Sequence, residues 1–331
     1  MIDIPWIEKY RPDKIENIIS QKNIKTMLSK YLTKKNIPHF LLYGPPGTGK
    51  TSSILALAKE LYGSNYKNMI LELNASDDRN IKVVREVIKE FAKTQSNFSL
   101  FYNSQKSDIS YKLVILDEID SMTQDAQFCL RRIIETYSKN TRFCLICNYI
   151  SKIIPALQSR CCKFHFNLLQ ETEIREKLIE ICDNENVSYD IEGLNEIISL
   201  SNGDMRRCIN ILQFISIAYE TVNINNVCLV TGNISKHNIK IMLNQLFTLS
   251  LNDSITFINQ KRIEGLSISD LTERLAIELI NINIDPHLLS EALLALARLE
   301  HGINVTTEKD INSGELASIF VKLREGLICG E

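Results

Sequence analysis

The sequence predicts an α/β domain, in which a parallel sheet lies between helices, followed by a small helical domain and a C-terminal all-α domain. Three observations support this prediction. Short apolar runs alternate with helical patterns in the first half of the chain, a glycine-rich loop joins the first run to a helix, and the strand signal stops after about Phe166. We therefore expect domains at 1–166, 167–231 and 232–331.

The expected strands are five short apolar runs, and the expected helices carry apolar residues at helical spacing. The strands are 40–43, 69–73, 113–116, 143–147 and 163–166. The helices are 51–61, 81–92 and 124–137 in the first half, then 171–185, 191–201, 204–218, 234–248, 268–280, 288–302 and 313–327. Because strands and helices alternate in the first half, the sheet there is expected to be parallel, with helices on both faces.

A glycine-rich loop follows the first apolar run and reads Gly44-Pro45-Pro46-Gly47-Thr48-Gly49-Lys50-Thr51. Glycines let backbone N–H groups turn inward around a phosphate, and the N-terminus of the following helix adds partial positive charge. Lys50 can then reach the β- and γ-phosphates of a nucleotide, and the Thr51 hydroxyl can bind Mg²⁺. The motif predicts a nucleotide site, which we expect Ser52 to line as well.

Polar residues end the third and fourth apolar runs. Asp117 and Glu118 follow the third run, and carboxyl ends of parallel strands meet at one sheet edge, beside the phosphate loop. Asp117 would hold Mg²⁺ through water, and Glu118 would orient or deprotonate the attacking water. Asn148 ends the fourth run at the same edge. Its amide could position that water, although asparagine also commonly ends strands as a turn residue.

Composition limits the class of protein. A chain of 331 residues with 44% hydrophobic and 24% charged residues is typical of a soluble globular protein with two or three domains. The net charge of −2 excludes a protein that is basic all over, but it permits a local basic face. No apolar run approaches the roughly 18 residues of a membrane span. We therefore expect no membrane partner. The first residues also lack the basic and apolar regions of a secretion signal, so we do not expect secretion.

The cysteines allow two interpretations. Cys144 with Cys147, and Cys161 with Cys162, could together form a four-thiolate zinc site. Both pairs, however, lie in segments that resemble buried strands, where adjacent side chains alternate between faces. Reduced core thiols in an intracellular protein are therefore favoured.

Several motifs occur in an order that resembles a known family. They are Pro5-Trp6-Ile7-Glu8-Lys9-Tyr10-Arg11-Pro12, the phosphate loop, Asn74-Ala75-Ser76-Asp77-Asp78-Arg79, Asp117-Glu118-Ile119-Asp120, Ser159-Arg160-Cys161 and Gly203-Asp204-Met205-Arg206-Arg207. Across residues 4–230 the chain resembles the small subunits of replication factor C, the AAA+ sliding-clamp loader, and the eukaryotic more than the archaeal type. The resemblance implies an AAA+ P-loop ATPase domain, a helical lid and a C-terminal all-α collar for oligomerisation.

The resemblance also implies roles for individual residues. Asn148 would be the sensor-1 residue, and Arg206 would be the sensor-2 arginine, reaching from the lid to the γ-phosphate of its own subunit. Arg160 would be an arginine finger that acts in trans on the ATP of a neighbouring subunit, where a guanidinium can spread charge over the developing phosphoryl charge. In the family, the N-terminal segment covers the adenine base. The resemblance therefore implies that the adenine side of the site is lined by Ile7, Tyr10, Arg11 and Ile19.

DNA contacts are expected at Arg79, Lys82 and Arg85, near the start of a helix. A helix N-terminus with added cations suits phosphates, although a solvated charged face has the same pattern. The resemblance implies an ATP- and Mg²⁺-dependent ATPase subunit of a heteropentameric loader, stimulated by clamp and DNA. That loader opens the ring clamp and places it on primer–template DNA in replication and repair. The protein would be nuclear in a eukaryote and cytoplasmic otherwise.

Two alternatives stay open at this point. Another AAA+ DNA machine, such as a branch-migration motor or an origin-binding ATPase, would carry a winged-helix C-terminal domain with a β-hairpin. The last third of this sequence shows helical periodicity instead. A non-hydrolysing structural subunit would keep the fold and lose the chemistry, whereas Lys50, Thr51, Asp117 and Glu118 are intact here.

Overall fold

The chain forms two compact units. The computed structural model describes residues 4–19, 21–34, 36–63, 66–75, 81–93, 111–232, 236–282, 284–305 and 309–329. The first unit comprises Met1–Val187 and Ile197–Gln213, and the second comprises Ser188–Glu196 and Phe214–Glu331.

A five-stranded parallel sheet forms the centre of the first unit. Its strands are β1 (Phe40–Tyr43), β2 (Ile70–Asn74), β3 (Lys112–Asp117), β4 (Thr141–Cys147) and β5 (Cys162–His165). They lie in the order β2-β3-β4-β1-β5. Tyr43 pairs with both Cys147 and His165, and Asn74 pairs with Asp117, so the carboxyl ends of all five strands meet at one edge. The predicted parallel sheet is confirmed, and its strands differ from the expected ranges by only a few residues.

Helices surround this sheet. Those that belong wholly to the first unit are α1 (Trp6–Lys9), α2 (Lys22–Lys34), α3 (Lys50–Tyr62), α4 (Tyr66–Met69), α5 (Ile81–Lys93), α6 (Gln124–Tyr137), α7 (Pro155–Gln158) and α8 (Glu171–Glu185). Two more contribute residues to both units, α9 (Ile191–Ser201) and α10 (Met205–Ala218). Helix α2 and the four-residue helices α1, α4 and α7 were not expected from the sequence.

Both faces of the sheet are buried, as the alternation of side chains along its strands shows. On β3, Leu113 and Ile115 pack into one apolar cluster with Leu57, whereas Val114 and Leu116 pack into a second cluster. All of these side chains are fully buried. Burial of one such side chain contributes about 1.5–3 kcal/mol. Since a parallel sheet needs helices on both faces, the near-continuous apolar runs of the sequence follow directly from this arrangement.

The second unit is mainly helical. Its remaining helices are α11 (Ile224–Thr231), α12 (Lys236–Thr248), α13 (Leu251–Ile263), α14 (Ile268–Ile280), α15 (Pro286–Val305) and α16 (Lys309–Cys329). They surround an apolar core that includes Leu246, Leu275, Leu299 and Phe320. No helix in the described part of the chain is both long and apolar enough to cross a membrane.

Four elements of the second unit were not expected. Ser188–Tyr189 and Thr221–Val222 form a short parallel strand pair, β6 and β7, although the strand signal was expected to stop near Phe166. Two-residue strands are too short to show periodicity, which explains the omission. Helices α11 and α13 were also missed, although Ser250 caps the N-terminus of α13 by accepting a hydrogen bond from the Asp253 amide at 3.3 Å.

Candidate nucleotide-binding site

The phosphate loop joins β1 to α3 and contains glycines that no other residue can replace without strain. Gly44 has φ +145°, and a Cβ there would lie 2.2 Å from the Phe166 carbonyl oxygen. Gly47 has φ +68°, and a Cβ there would lie 1.7 Å from Oδ1 of Asp204. The left-handed backbone favours glycine at both positions, and the close contacts exclude a larger side chain. The loop is therefore packed between the end of β5 and the start of α10.

Lys50 lies at the centre of the site, at the first position of α3. Its ammonium donates hydrogen bonds to the carbonyl oxygens of Gly44 and Pro45, at 2.8 and 2.7 Å, and to Oδ1 of Asn148, at 3.0 Å. Burial lowers the pKa of Lys50, and the nearby charge of Asp117 opposes that effect. The structure thus brings the phosphate-loop lysine and the predicted sensor asparagine into direct contact.

The two predicted acids lie in different environments. Asp117 ends β3 and accepts a hydrogen bond through Oδ2 from the Thr51 hydroxyl at 2.7 Å. Its Oδ1 accepts the backbone N–H of Glu118 at 2.8 Å. Glu118 has φ +54°, is exposed and lines the cavity. Asp117 is thus held next to the phosphate loop, whereas the Glu118 carboxylate reaches open space beside it, as an acid that acts on water requires.

The cavity at this edge is lined by every residue predicted for the base and by most of those predicted for the phosphates. Its lining includes Ile7, Tyr10, Arg11, Ile19, Pro46, Gly47, Thr48, Gly49, Lys50, Thr51, Ser52, Asp117, Glu118, Asn148 and Arg206. Gly44 and Pro45 contribute their carbonyl oxygens to Lys50. The N-terminal segment, the phosphate loop and the sheet edge therefore meet around one cavity.

Several lining residues were not predicted. They are Pro12, Asn17, Ile18, Leu169, Lys177, Met205 and Ile209. Met205 and Ile209 are four residues apart on α10, so their helical spacing puts them on one face and could have indicated a shared role. Lys177 carries no such signal, and its ammonium donates to Glu180 at 2.7 Å.

The N-terminal segment is fixed by hydrogen bonds within the first unit. Lys9 and Tyr10 both donate to Oε1 of Glu185, at the end of α8, and the Trp6 amide donates to Oε1 of Gln213 at 3.1 Å. Burial, followed by the hydrogen bond to Glu185, raises the pKa of Tyr10. The wall of the cavity that is predicted to face the base is therefore held by hydrogen bonds to helices α8 and α10, not by bonds to the sheet.

Arg206 and Arg160 lie in different places. Arg206 is in the first turn of α10, which Asp204 caps by accepting the amides of Arg206 and Arg207 at 2.9 and 3.2 Å. It lines the cavity. Arg160 is absent from the described residues that line this cavity. Its guanidinium donates instead to the Glu135 carboxylate and to the Ala156 carbonyl oxygen, the latter at 2.7 Å.

Two groups of predicted residues require separate comment. Arg79 lies outside the described residues, and so do the side chains of Lys82 and Arg85, although their backbone forms the first turns of α5. The predicted zinc alternative finds no support, because no group of three His, Cys, Asp or Glu side chains suited to a metal occurs in the described ranges. Cys144 and Cys147 are buried in β4, as expected, but Cys162 is exposed and is not a core thiol.

Comparison with known proteins identifies the family. Residues 40–168 match the family model "ATPase family associated with various cellular activities (AAA)". A probable replication factor C subunit 5 from Dictyostelium discoideum is 42% identical, over 97% of this chain and 92% of its own length. Human replication factor C subunit 5 is 41% identical, over 98% of this chain and 94% of its own length.

The solved structures support the fold. The Thermotoga maritima RuvB Holliday junction branch migration motor has a TM-score of 0.53, with 16% identity over 84% of this chain and 93% of its own. At that identity the likeness concerns the fold alone. The much higher identity to replication factor C subunits, over nearly the whole chain, disfavours a branch-migration motor. The same likeness to replication factor C disfavours the alternative of a non-hydrolysing structural subunit. The chain belongs to the replication factor C subunits, AAA+ ATPases of the clamp loader, and it hydrolyses ATP within that complex.

Proposed function

We propose that this chain binds ATP with Mg²⁺ at the described cavity and uses the residues of the sheet edge to hydrolyse it. The main support is that two neighbouring residues of the phosphate loop contact the predicted residues of the sheet edge. Lys50 donates a hydrogen bond to Asn148 at 3.0 Å, and Thr51 donates one to Asp117 at 2.7 Å. Lys50 neutralises the β- and γ-phosphates, Asn148 orients the attacking water, and Glu118 accepts its proton. Each role uses the charge or hydrogen-bonding capacity of that side chain.

The residues present fit Mg²⁺. The Thr51 hydroxyl and the Asp117 carboxylate approach to 2.7 Å, which provides two oxygen donors at one point of the cavity. Mg²⁺ prefers oxygen ligands and is commonly held by one or two protein groups together with water and substrate phosphates. Bound there, the ion would neutralise phosphate charge during transfer.

Arg206 acts in cis in this proposal, and Arg160 acts in trans. Arg206 lines the chain's own cavity, from the first turn of α10. Arg160 pairs with Glu135 on the same subunit instead. The side chains of this pair are 32% and 42% exposed, so the guanidinium is accessible to a neighbouring subunit. The chain's own site would correspondingly use an arginine of another subunit.

The proposed partners are the other loader subunits, a ring-shaped sliding clamp and primer–template DNA. The names of the relatives support assembly into replication factor C, and their eukaryotic sources support a nuclear location. Arg79, Lys82 and Arg85 are the proposed DNA contacts. Because a helix N-terminus and cations attract phosphates without reading bases, this contact would be independent of DNA sequence.

The Mg²⁺ site is tested by titrating wild-type chain and Thr51→Val with ATP over a range of Mg²⁺ concentrations. Valine keeps the shape of threonine and removes the hydroxyl. We expect Mg²⁺ to tighten ATP binding to the wild type and to have a much smaller effect on the variant. Thr26→Val, at an exposed threonine of α2 outside the cavity, serves as the control. Equal Mg²⁺ dependence in Thr51→Val and wild type would exclude Thr51 as a ligand.

The DNA contacts are tested in the reconstituted complex with Arg79, Lys82 and Arg85 all changed to alanine in this subunit. If the three side chains contact phosphates, the slope of log affinity against log salt should become shallower by about 2–3. A charge-matched control changes Lys22, Lys30 and Lys67, which are exposed elsewhere on the first unit. An unchanged slope in the first variant would contradict the assignment.

A further inference from the structure

Asp120 makes a contact that the reaction described above does not use. Its Oδ2 accepts two backbone hydrogen bonds, from the amide of Asn148 at 3.2 Å and from the amide of Tyr149 at 3.1 Å. These residues immediately follow β4, where Asn148 also accepts a hydrogen bond from Lys50. One carboxylate therefore holds the backbone of the residue proposed to orient the attacking water.

The turn after β3 directs Asp120 toward β4. Glu118 has φ +54°, a left-handed conformation that is uncommon for a residue other than glycine. The 3₁₀ turn Ile119–Ser121 follows, in which Ile119 is fully buried. The Ser121 amide and hydroxyl both donate to the Glu118 carbonyl oxygen, at 3.0 and 2.7 Å. A backbone held in a sparsely populated region needs such support from its surroundings.

The direct pairing of β3 with β4 does not extend to Glu118 and Asn148, although β4 stays paired with β1 as far as Cys147. The paired register of β3 and β4 ends at Leu116 and Leu145, before either residue is reached. Past that point, Asp120 links the turn that carries Glu118 to the backbone that carries Asn148. Two charge-assisted hydrogen bonds at one oxygen make this link stronger than ordinary backbone contacts.

We propose that Asp120 is a positioning residue for ATP hydrolysis: it fixes the Asn148 backbone relative to Glu118 and Lys50, and it thereby sets the turnover rate without contributing to ATP affinity. The proposal rests on the roles assigned above to Asn148 and Glu118. Asp120 touches neither nucleotide nor water in this scheme. Its effect operates through geometry, and a displacement of about 1 Å at a reacting group can cost about 100-fold in rate.

The test uses the reconstituted complex with single changes in this subunit, measuring ATP affinity by titration and kcat and KM by stimulated turnover. Asp120→Ala removes both hydrogen bonds and should lower kcat about 10- to 100-fold, with ATP affinity within about twofold of wild type. Asp120→Asn keeps an acceptor oxygen and should recover part of that loss. Asp125→Asn, an exposed acid on α6, is the charge-matched control and should behave as wild type.

A double-mutant cycle with Asn148→Ala separates this inference from the proposed function. If Asp120 acts through Asn148, adding Asp120→Ala to Asn148→Ala should lower kcat little further, because the two residues act as a unit. An unchanged kcat in Asp120→Ala, additive effects, or an equal loss of ATP affinity would overturn the inference. A normal kcat in Asn148→Ala alone would instead overturn the role proposed for Asn148. Should Asp120→Ala fail to assemble, the same cycle with Asp120→Asn decides.

Discussion

The nucleotide cavity and the surface around Arg160 differ in how they hold their charged groups. In the cavity, Lys50 is 7% exposed and donates to three oxygens, so its position is fixed by several contacts. At the other surface, Arg160 is held mainly by one exposed carboxylate, Glu135. Exposed ion pairs of this kind contribute little to stability, because water screens both charges. The difference fits the roles proposed above, in which the cavity binds the chain's own ligand and Arg160 reaches toward a neighbouring subunit.

The largest expected effect concerns the proposed trans role of Arg160, on the exposed surface. Arg160→Ala should leave ATP binding by this chain unchanged and lower hydrolysis at the neighbouring site by about 10³- to 10⁵-fold. The measurement is clamp- and DNA-stimulated turnover of mutant chain mixed with wild-type partners, with turnover assigned to each site. Arg131→Ala, which removes another arginine bound to Glu135, is the control. Loss of the chain's own ATP binding with a normal neighbour would show that Arg160 acts in cis.

Within the cavity, the largest effect is expected at Glu118. Glu118→Gln keeps the shape and removes the carboxylate that would accept a proton, so turnover at this site should fall by about 10²- to 10⁴-fold while ATP still binds. Single-turnover hydrolysis in the complex, with ATP affinity measured in parallel, provides the comparison. Glu118→Asp should retain part of the activity. Unaffected turnover in the glutamine variant would remove Glu118 from the mechanism.

Substitutions in the cavity and at the surface around Arg160 should also differ in their effect on the affinity of the chain for ATP. Lys50→Ala removes the buried ammonium that is proposed to form charge-assisted hydrogen bonds to phosphate, so the affinity for ATP should fall about 10- to 100-fold. Direct titration of the isolated chain measures this, and Lys50→Arg tests whether charge alone suffices. Arg160→Ala in the same titration should show no change. If Lys50→Ala binds ATP normally, the phosphate-loop assignment is wrong.

The smallest effect is expected at Glu135. Hydrogen bonding from Arg131, with further attraction from Arg160, lowers the pKa of Glu135. Glu135→Gln weakens this exposed pair, so hydrolysis at the neighbouring site should change by about threefold or less. The assay is the same mixed-complex turnover measurement. A change as large as that of Arg160→Ala would show that the exposed region is held as firmly as the cavity.

Residues in strongly patterned segments were predictable, and residues without a pattern were not. The phosphate loop followed from its glycine-rich motif between a strand and a helix. Asp117 followed from an apolar strand that ends in a polar residue, because strand ends in a parallel sheet share one edge. The base-side residues, Arg206 and Arg160 were predicted only from the family resemblance, since long-range packing decides where they lie. Lys177 was missed because one lysine on an amphipathic helix resembles any solvated charge. Helix α13, in contrast, carried an overlooked signal at its Ser250 cap.

The contact between Gly47 and Asp204 joins two segments that are far apart in sequence. Asp204 comes within van der Waals distance of the phosphate loop while it caps α10, and the Met205 amide donates to the Gly47 carbonyl oxygen at 3.3 Å. Two independent demands thus act on position 204, since its side chain must be small and must accept backbone hydrogen bonds. Asparagine and serine satisfy both demands, whereas glutamate and glutamine can accept hydrogen bonds but are too large. Over evolutionary time, the identities of residues 47 and 204 should therefore be inherited as a pair.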